Sequence, residues 1–328
     1  MGSLQLRMML LMGALFAIIY ATIVVIGTAM GMHDFYFYLM ISIGMMWFQY
    51  MIGPKMLEWT MGLKYIKRED NPTLFGMIED LARRANIPMP RVCISNSPVP
   101  NAFAFGRGIH DGRVCVCEGI LRLLNDEELK AVLGHELTHI KNRDVLTITL
   151  ISVIPMIMYR IAWHFMWYGG GYRRDDRNAP SGWMVGLVAL LFYFITNLLV
   201  LYGSRIREYY ADKGSVELGN KPAALASALY KLVYGSAKMK DTQEMKQVEG
   251  MKAFFINDPS QAFNEIRDLA QLDMNKDGII DSNELFRLRN KQAKVASGEK
   301  LMELLSTHPN MLKRIKHLSE LSVLPKAS

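Results

Sequence analysis

The chain has 328 residues and a mass of 37.3 kDa, enough for two compact domains, yet 51% of it is hydrophobic and its mean hydropathy is +0.10. That composition excludes an ordinary soluble pair. The net charge of +7 gathers beside apolar stretches, so it reads as a membrane-surface feature and gives no reason to invoke nucleic acid.

Four apolar stretches, 8–32, 35–52, 145–167 and 183–203, each approach the roughly 20 residues that cross a bilayer core. The first, second and fourth carry no charge. The third holds Pro155, Arg160 and His164, so a buried or interfacial helix competes with a span there. The first run is too long for a cleaved signal peptide, and a second follows at once. Basic residues Arg7, Lys55, Lys64, Lys67, Lys141, Arg143, Arg205 and Arg207 flank the stretches on one side. One hairpin tip holds only His33 and Asp34; the other balances Arg173, Arg174 and Arg177 against Asp175 and Asp176. The positive-inside rule then places both termini and 55–144 in the cytoplasm, in a multi-pass protein of the plasma or inner membrane.

Between the hairpins, Leu74, Met77, Ile78 and Leu81 recur at helical spacing and predict a helix over 73–85, closed by Pro88 and Pro90. A short strand follows at 92–94. Stretches 102–105 and 113–117 flank the turn-rich 106–112 and predict a hairpin. Asn101, Ala102, Phe103 and Ala104 read equally as core packing or as a strand that pairs with a substrate backbone. Cys93, Cys115 and Cys117 fall on the cytoplasmic side, where they read as small buried hydrophobes rather than disulfide partners.

Asn125 with Glu128 three residues on marks a helix start, and Leu129, Val132 and Leu133 continue it. On that helix His135, Glu136, Leu137, Thr138 and His139 spell H-E-x-x-H. Positions four apart share a face, so both imidazoles can reach one metal ion, with Glu136 beside them to take a proton from water. A catalytic zinc site wants a third protein ligand. Glu208 and Asp212, also four apart, supply two carboxylates on one helix face: one to bind the metal, the other to orient a ligand histidine. Taken alone, that segment reads better as a solvated, Arg-paired helix start.

Farther on, Asp273, Asn275, Asp277, Asp281 and Glu284 occupy the ligand positions of an EF-hand loop. Ile279 offers a backbone carbonyl and Gly278 the turn. Phe263, Ile266 and Leu269 precede the loop, and Leu285, Phe286 and Leu288 follow, as two flanking helices require. The loop is expected to bind Ca²⁺. A lone hand usually wants a partner, which admits a homodimer. A structural ion without switching is the duller alternative.

The run H-E-L-T-H-I-K-N-R-D, then an apolar hairpin, then S-R-I-R-E-Y-Y-A-D, resembles the HtpX-type membrane zinc metalloproteases, relatives of the CAAX prenyl protease. Asn101-Ala102-Phe103-Ala104 is similar to that family's substrate strand. Segment 251–256 and Ser306-Thr307-His308-Pro309, leading to Arg314-Ile315, are similar to its C-terminal segments. The resemblance implies one zinc per chain on His135, His139 and Glu208, with Asp212 behind them and Glu136 as general base. It makes His308 a candidate oxyanion donor. It also implies a cytoplasmic site that cleaves membrane or unfolded polypeptides, often misfolded ones, as in a stress response. The fold it implies is mainly α: four transmembrane helices in two hairpins, with an α+β zincin-like catalytic domain.

The chain then divides into hairpin 1–54, first catalytic part 55–144, hairpin 145–203, second catalytic part 204–262, EF-hand insertion 263–298 and closing segment 299–328. The family pattern lacks the insertion; we expect calcium there to order the segment and gate the protease. His139 lies six residues before Val145 and Glu208 five after Gly203, which sets the metal roughly 10 Å from the membrane surface if the helices continue. The competing class is a non-catalytic, calcium-sensing membrane adaptor, but a binding protein has no need of Glu136 between its ligands. A transporter would need polar residues in its spans.

Overall fold

The structure is a computed structural model that describes residues 35–144, 182–239, 242, 262–269, 272–289 and 303–321, with scattered positions between 147 and 166. Two compact units divide the chain, each built from separated segments: Met1–Ile52 with Leu146–Gly203, and Gly53–Val145 with Ser204–Ser328.

In the first unit, the stretch 35–52 lies in helix α1 (Phe35–Thr60) and the stretch 183–203 in helix α5 (Gly182–Glu217). Stretch 8–32 and about half of 145–167 lie outside the described residues. Among the described residues one helix, α5, is long and apolar enough to cross a membrane, with a mean hydropathy of 2.4 in its most apolar window. Leu187, Leu191, Phe194 and Leu198 on it stand exposed, as lipid-facing residues would in the absence of lipid. Gly186 lets it pack closely: a Cβ there would lie 2.7 Å from Met166 Cγ.

In the second unit, α2 (Pro72–Ala85) forms where the apolar spacing predicts a helix. Asn71 caps it by accepting the Leu74 N–H at 3.0 Å, and Asn86, at φ 54°, ends it. Leu74, Ile78 and Leu81 are buried on one face, each contributing about 1.5–3 kcal/mol of apolar burial. The sheet has the order β1–β2–β4–β3: β1 (Lys64–Tyr65), β2 (Arg91–Ser95), β3 (Ala102–Gly106) and β4 (Gly112–Cys117). β3 and β4 are an antiparallel hairpin with Phe103 opposite Cys115, while β4 runs parallel to β2 with Cys115 opposite Cys93. Gly106 is required at the hairpin because its φ is 136° and a Cβ would collide with the Asp111 carbonyl.

This order buries every residue of β4 and leaves β3 as the edge strand. Cys93, Cys115 and Cys117 are buried and free, the first two packed with Phe103, Phe105 and Leu57. The neighbouring Cys117 and Cys93 sulfurs, with burial, push the Cys115 thiol up, away from the thiolate that would make it a nucleophile. Three short or weakly signalled elements escape sequence reading: β1, α3 (Glu118–Leu123) and α6 (Pro222–Lys238). β1 is too short to show alternation, and α6 starts at Lys221, whose side chain caps nothing.

Candidate metal centre and active site

Helix α4 (Asp126–Lys141) carries the H-E-x-x-H residues. Its start is locked by a capping box: Asn125 Oδ1 accepts the Glu128 N–H at 2.9 Å, and Glu128 Oε2 accepts the Asn125 N–H at 3.0 Å. Glu128 also ties α4 to α6, accepting from the Ser227 hydroxyl at 2.6 Å and pairing with Lys231 at 2.7 Å.

Two glycines bring α4 against α5. At Gly134 a Cβ would lie 2.9 Å from Ser215 Oγ, and at Gly214 one would run into the Thr138 side chain. The Ser215 hydroxyl donates to the Ala131 carbonyl at 2.6 Å across the same contact. Backbones this close allow short carboxylates on α5 to meet the histidines on α4.

They meet as follows. His135 Nε2 and His139 Nε2 are 3.1 Å apart. Glu208 brackets them, Oε2 at 3.5 Å from His135 Nε2 and Oε1 at 3.6 Å from His139 Nε2. Each other ring nitrogen turns to a carboxylate: His135 Nδ1 to Asp212 at 2.8 Å, His139 Nδ1 to Asp144 at 2.7 Å. With Nδ1–H donating outward, the two Nε2 lone pairs face each other and a carboxylate. Such a set of acceptors is repulsive unless a proton or a metal ion lies among them, and the donor set of two imidazoles and a carboxylate fits a metal ion.

Glu136 is buried beside them, and its Oε2 accepts the N–H of Ala104 on edge strand β3 at 2.7 Å. Arg314, on helix α9 (Met311–Leu321), is fully buried. It reaches Asp212 with two prongs at 2.9 and 2.6 Å and places Nη1 3.1 Å from Glu208 Oε2. His308 Nδ1 lies 3.5 Å from the same oxygen. Both ring nitrogens of His308 are buried and have no hydrogen-bond partner among the described residues.

The electrostatics follow. Burial pushes the His135 pKa down, but Asp212 and Glu208 outweigh it and lift it to about 9 in the metal-free fold. Burial raises Glu136, opposed in part by His135 and His139, leaving a carboxylate more basic than usual. Burial also acts on Glu208, but His308 and Arg314 hold it well below the usual range. Asp212 is likewise held low, by Arg314 against burial.

The structure thus brings together His135, Glu136, His139, Glu208, Asp212 and His308. Of the candidate substrate strand, Asn101, Ala102 and Phe103 are buried, and the backbone N–H of Ala104 donates to Glu136. Sequence reasoning missed Asp144 as the partner of His139 and Arg314 as the partner of both α5 carboxylates. Asp144 closes the H-E-L-T-H-I-K-N-R-D run and Arg314 opens the Arg314-Ile315 segment, but the partner of neither is marked in the sequence. Arg207 also escaped it; Arg207 donates to the Asp144 carbonyl at 2.6 Å.

The Asp273–Glu284 loop lies between helices α7 (Ala262–Leu269) and α8 (Ser282–Arg289), with Gly278 at φ 81°. Its side-chain oxygens turn onto its own backbone. Asp273 accepts from Asp277 and Gly278 N–H at 3.1 and 2.9 Å, and Asn275 from Asp277 N–H at 3.0 Å. Asp277 accepts from Ile279 N–H at 2.8 Å, and Asp281 from Glu284 N–H at 2.8 Å. Glu284 accepts from Met274 and Asp281 N–H at 2.7 and 3.2 Å. Segment 251–256 lies outside the described residues.

The profile of peptidase family M48 matches residues 67–322. The protease HtpX homolog of Methanothermobacter thermautotrophicus is 50% identical over 231 residues, covering 70% of this chain and 86% of the other. That of Moorella thermoacetica is 35% identical over 277 residues, covering 83% and 80%. Among solved structures, S. mikatae Ste24p aligns with a TM-score of 0.48 at 16% identity, over 97% of this chain and 67% of that one.

Proposed function

The chain belongs to peptidase family M48 and is a metalloendopeptidase, and from that premise we propose that it holds one zinc ion on His135, His139 and Glu208 and cleaves membrane-associated or unfolded polypeptides. The observation that carries this reading is the pair of Nε2 atoms 3.1 Å apart, bracketed by Glu208, with both Nδ1 atoms turned to carboxylates. Zinc bound there would supply Lewis acidity, polarising a scissile carbonyl and acidifying water.

The rest falls to the protein. Glu136 takes the proton of the attacking water at its free oxygen and returns it to the leaving amine, a task suited to a carboxylate whose pKa burial has raised. Asp212 and Asp144 fix the ring orientation of His135 and His139. Edge strand β3 aligns the substrate backbone by strand addition. His308, buried 3.5 Å from Glu208 with ring nitrogens that make no hydrogen bond among the described residues, donates to the oxyanion. The apolar stretches hold the protein in the plasma or inner membrane as a multi-pass protein with its catalytic unit in the cytoplasm. Segments emerging from the bilayer are therefore favoured substrates, which suits clearance of damaged membrane proteins under stress.

The test is cleavage of an unfolded membrane protein by the purified, zinc-loaded chain, beside Glu136→Gln. Loss of cleavage in the variant alone, with zinc retained, supports the reading. Equal cleavage by both removes Glu136 as base.

We propose further that the Asp273–Glu284 loop takes Ca²⁺ through Asp273, Asn275, Asp277, Ile279, Asp281 and Glu284, and that this tunes the protease. In support, the insertion is keyed to the helix that carries Arg314. Glu265 on α7 accepts the Met311 N–H at 3.0 Å, and Lys316 on α9 donates to the Leu288 and Arg289 carbonyls at 3.0 and 2.7 Å. On its other side Asp273 accepts the Tyr230 hydroxyl of α6 at 3.0 Å. Pairing of two lone hands would make a homodimer. Activity unchanged when calcium is chelated and zinc stays bound would remove the calcium gate.

A further inference from the structure

Three residues of α5 share one helix face at positions i, i+3 and i+7: Arg205, Glu208 and Asp212. The latter two face the histidines. Arg205 is buried, and its Nη1 lies within hydrogen-bond distance of three backbone carbonyls, Glu303 O at 2.9 Å, Leu304 O at 3.1 Å and Ser306 O at 2.8 Å. Those carbonyls belong to the turn that delivers His308. From there the chain is fastened step by step: Ser306 Oγ accepts the His308 N–H at 3.2 Å, and Glu303 Oε1 accepts the Asn310 N–H at 3.3 Å. His308 ends 3.5 Å from Glu208, one turn along α5 from Arg205.

We propose that Arg205 is the positioning residue of His308, setting its imidazole against the same helix that carries the Glu208 carboxylate. A guanidinium suits this task. It is always charged, it donates in a fixed plane, and carbonyls at a turn end offer partners that cost it no competing proton. Glu208 and His308 are thereby indexed to one rigid helix. An imidazole held by two peptide-chain links alone would wander by more than the fraction of an ångström that oxyanion donation tolerates. The inference rests on the reading of His308 as a donor at the site, so its test separates the two.

The experiment uses the zinc-loaded full chain in five forms: unaltered, Arg205→Gln, His308→Gln, the double variant, and Arg205→Lys as the conservative change. Two quantities are read, kcat and KM on one unfolded polypeptide, and amide hydrogen exchange over 303–310. Expected for Arg205→Gln are faster exchange confined to 303–310, unchanged zinc content, and kcat down about tenfold with KM little moved. In the His308→Gln background the same change costs nothing further in kcat, and Arg205→Lys restores part of the loss.

Unchanged exchange in 303–310 overturns the positioning role whatever His308 does. Faster exchange with a fully active His308→Gln chain instead removes His308 from catalysis and leaves Arg205 merely structural. An equal kcat loss in both backgrounds, or loss of zinc with Arg205→Gln, shows that Arg205 acts by another route.

Discussion

Arg314 grips Asp212 with two nitrogens, Nε to Oδ2 at 2.9 Å and Nη2 to Oδ1 at 2.6 Å, both residues fully buried. Asp212 in turn holds His135 Nδ1. A charge on α9 therefore fixes the orientation of a ring on α4 through a carboxylate on α5.

Removing that guanidinium strands two buried carboxylates, Asp212 and Glu208. Arg314→Gln is expected to cost about 3–5 kcal/mol of stability in the metal-free chain. Arg314→Lys recovers little, because an ammonium cannot make the two-pronged contact. Thermal or denaturant unfolding of the zinc-stripped protein reads this directly. Stability unchanged in Arg314→Gln would mean that the pair is not formed in solution.

Asp212→Asn and Asp144→Asn leave the ring contacts in place but remove the charge behind each histidine. Each is expected to weaken zinc binding about 10–100-fold. A competition titration against a chelator of known affinity measures it. The double variant is expected to bind zinc more weakly than either single variant, and the departure from additivity measures how the two rings couple through the shared ion.

Zinc affinity should also climb with pH. In the metal-free fold His135 is lifted from 6.5 to about 9: burial opposes the shift, and Asp212 and Glu208 prevail. Its proton therefore stabilises the metal-free fold below pH 6.5, and that contribution is lost as the pH rises through about 9. Zinc must displace the same proton. Its apparent affinity is expected to rise about tenfold per pH unit between pH 7 and 9 and then level. A flat profile across that window would exclude protonated His135 from the competition.

Gly214→Ala tests the close contact of α4 and α5. The added Cβ runs into Thr138, one residue before His139, so the helices must part. A loss of about 1–3 kcal/mol in stability is expected, together with weaker zinc binding as Glu208 is drawn away. Gly44→Ala is the control, since nothing lies within 4 Å of its Cβ position; it should leave zinc binding unchanged. Calorimetry and zinc titration follow both quantities.

What the sequence by itself determined is what short-range physics writes into neighbouring residues. The Asn125–Glu128 capping box, the i, i+4 histidines, the α2 stripe and the β3–β4 hairpin all depend on contacts within a few positions of each other. The family motifs are legible for the same reason, because catalytic spacing is helical spacing. Spacing left open which of Glu208 and Asp212 lies against the Nε2 atoms and which orients a ring from behind.

Tertiary structure decided that question and others like it. Asp212 meets His135 Nδ1 and Arg314, while Glu208 brackets the two Nε2 atoms. Arg314 lies 102 positions from Asp212, and Arg205 about as far from the turn it holds. A buried ion pair leaves no periodic trace, because its partners are chosen by which helices pack, not by how the chain runs. The glycines at 134 and 214 belong to the same class. Each looks like an ordinary helix weakness in sequence and acquires its purpose only when the facing backbone comes within reach.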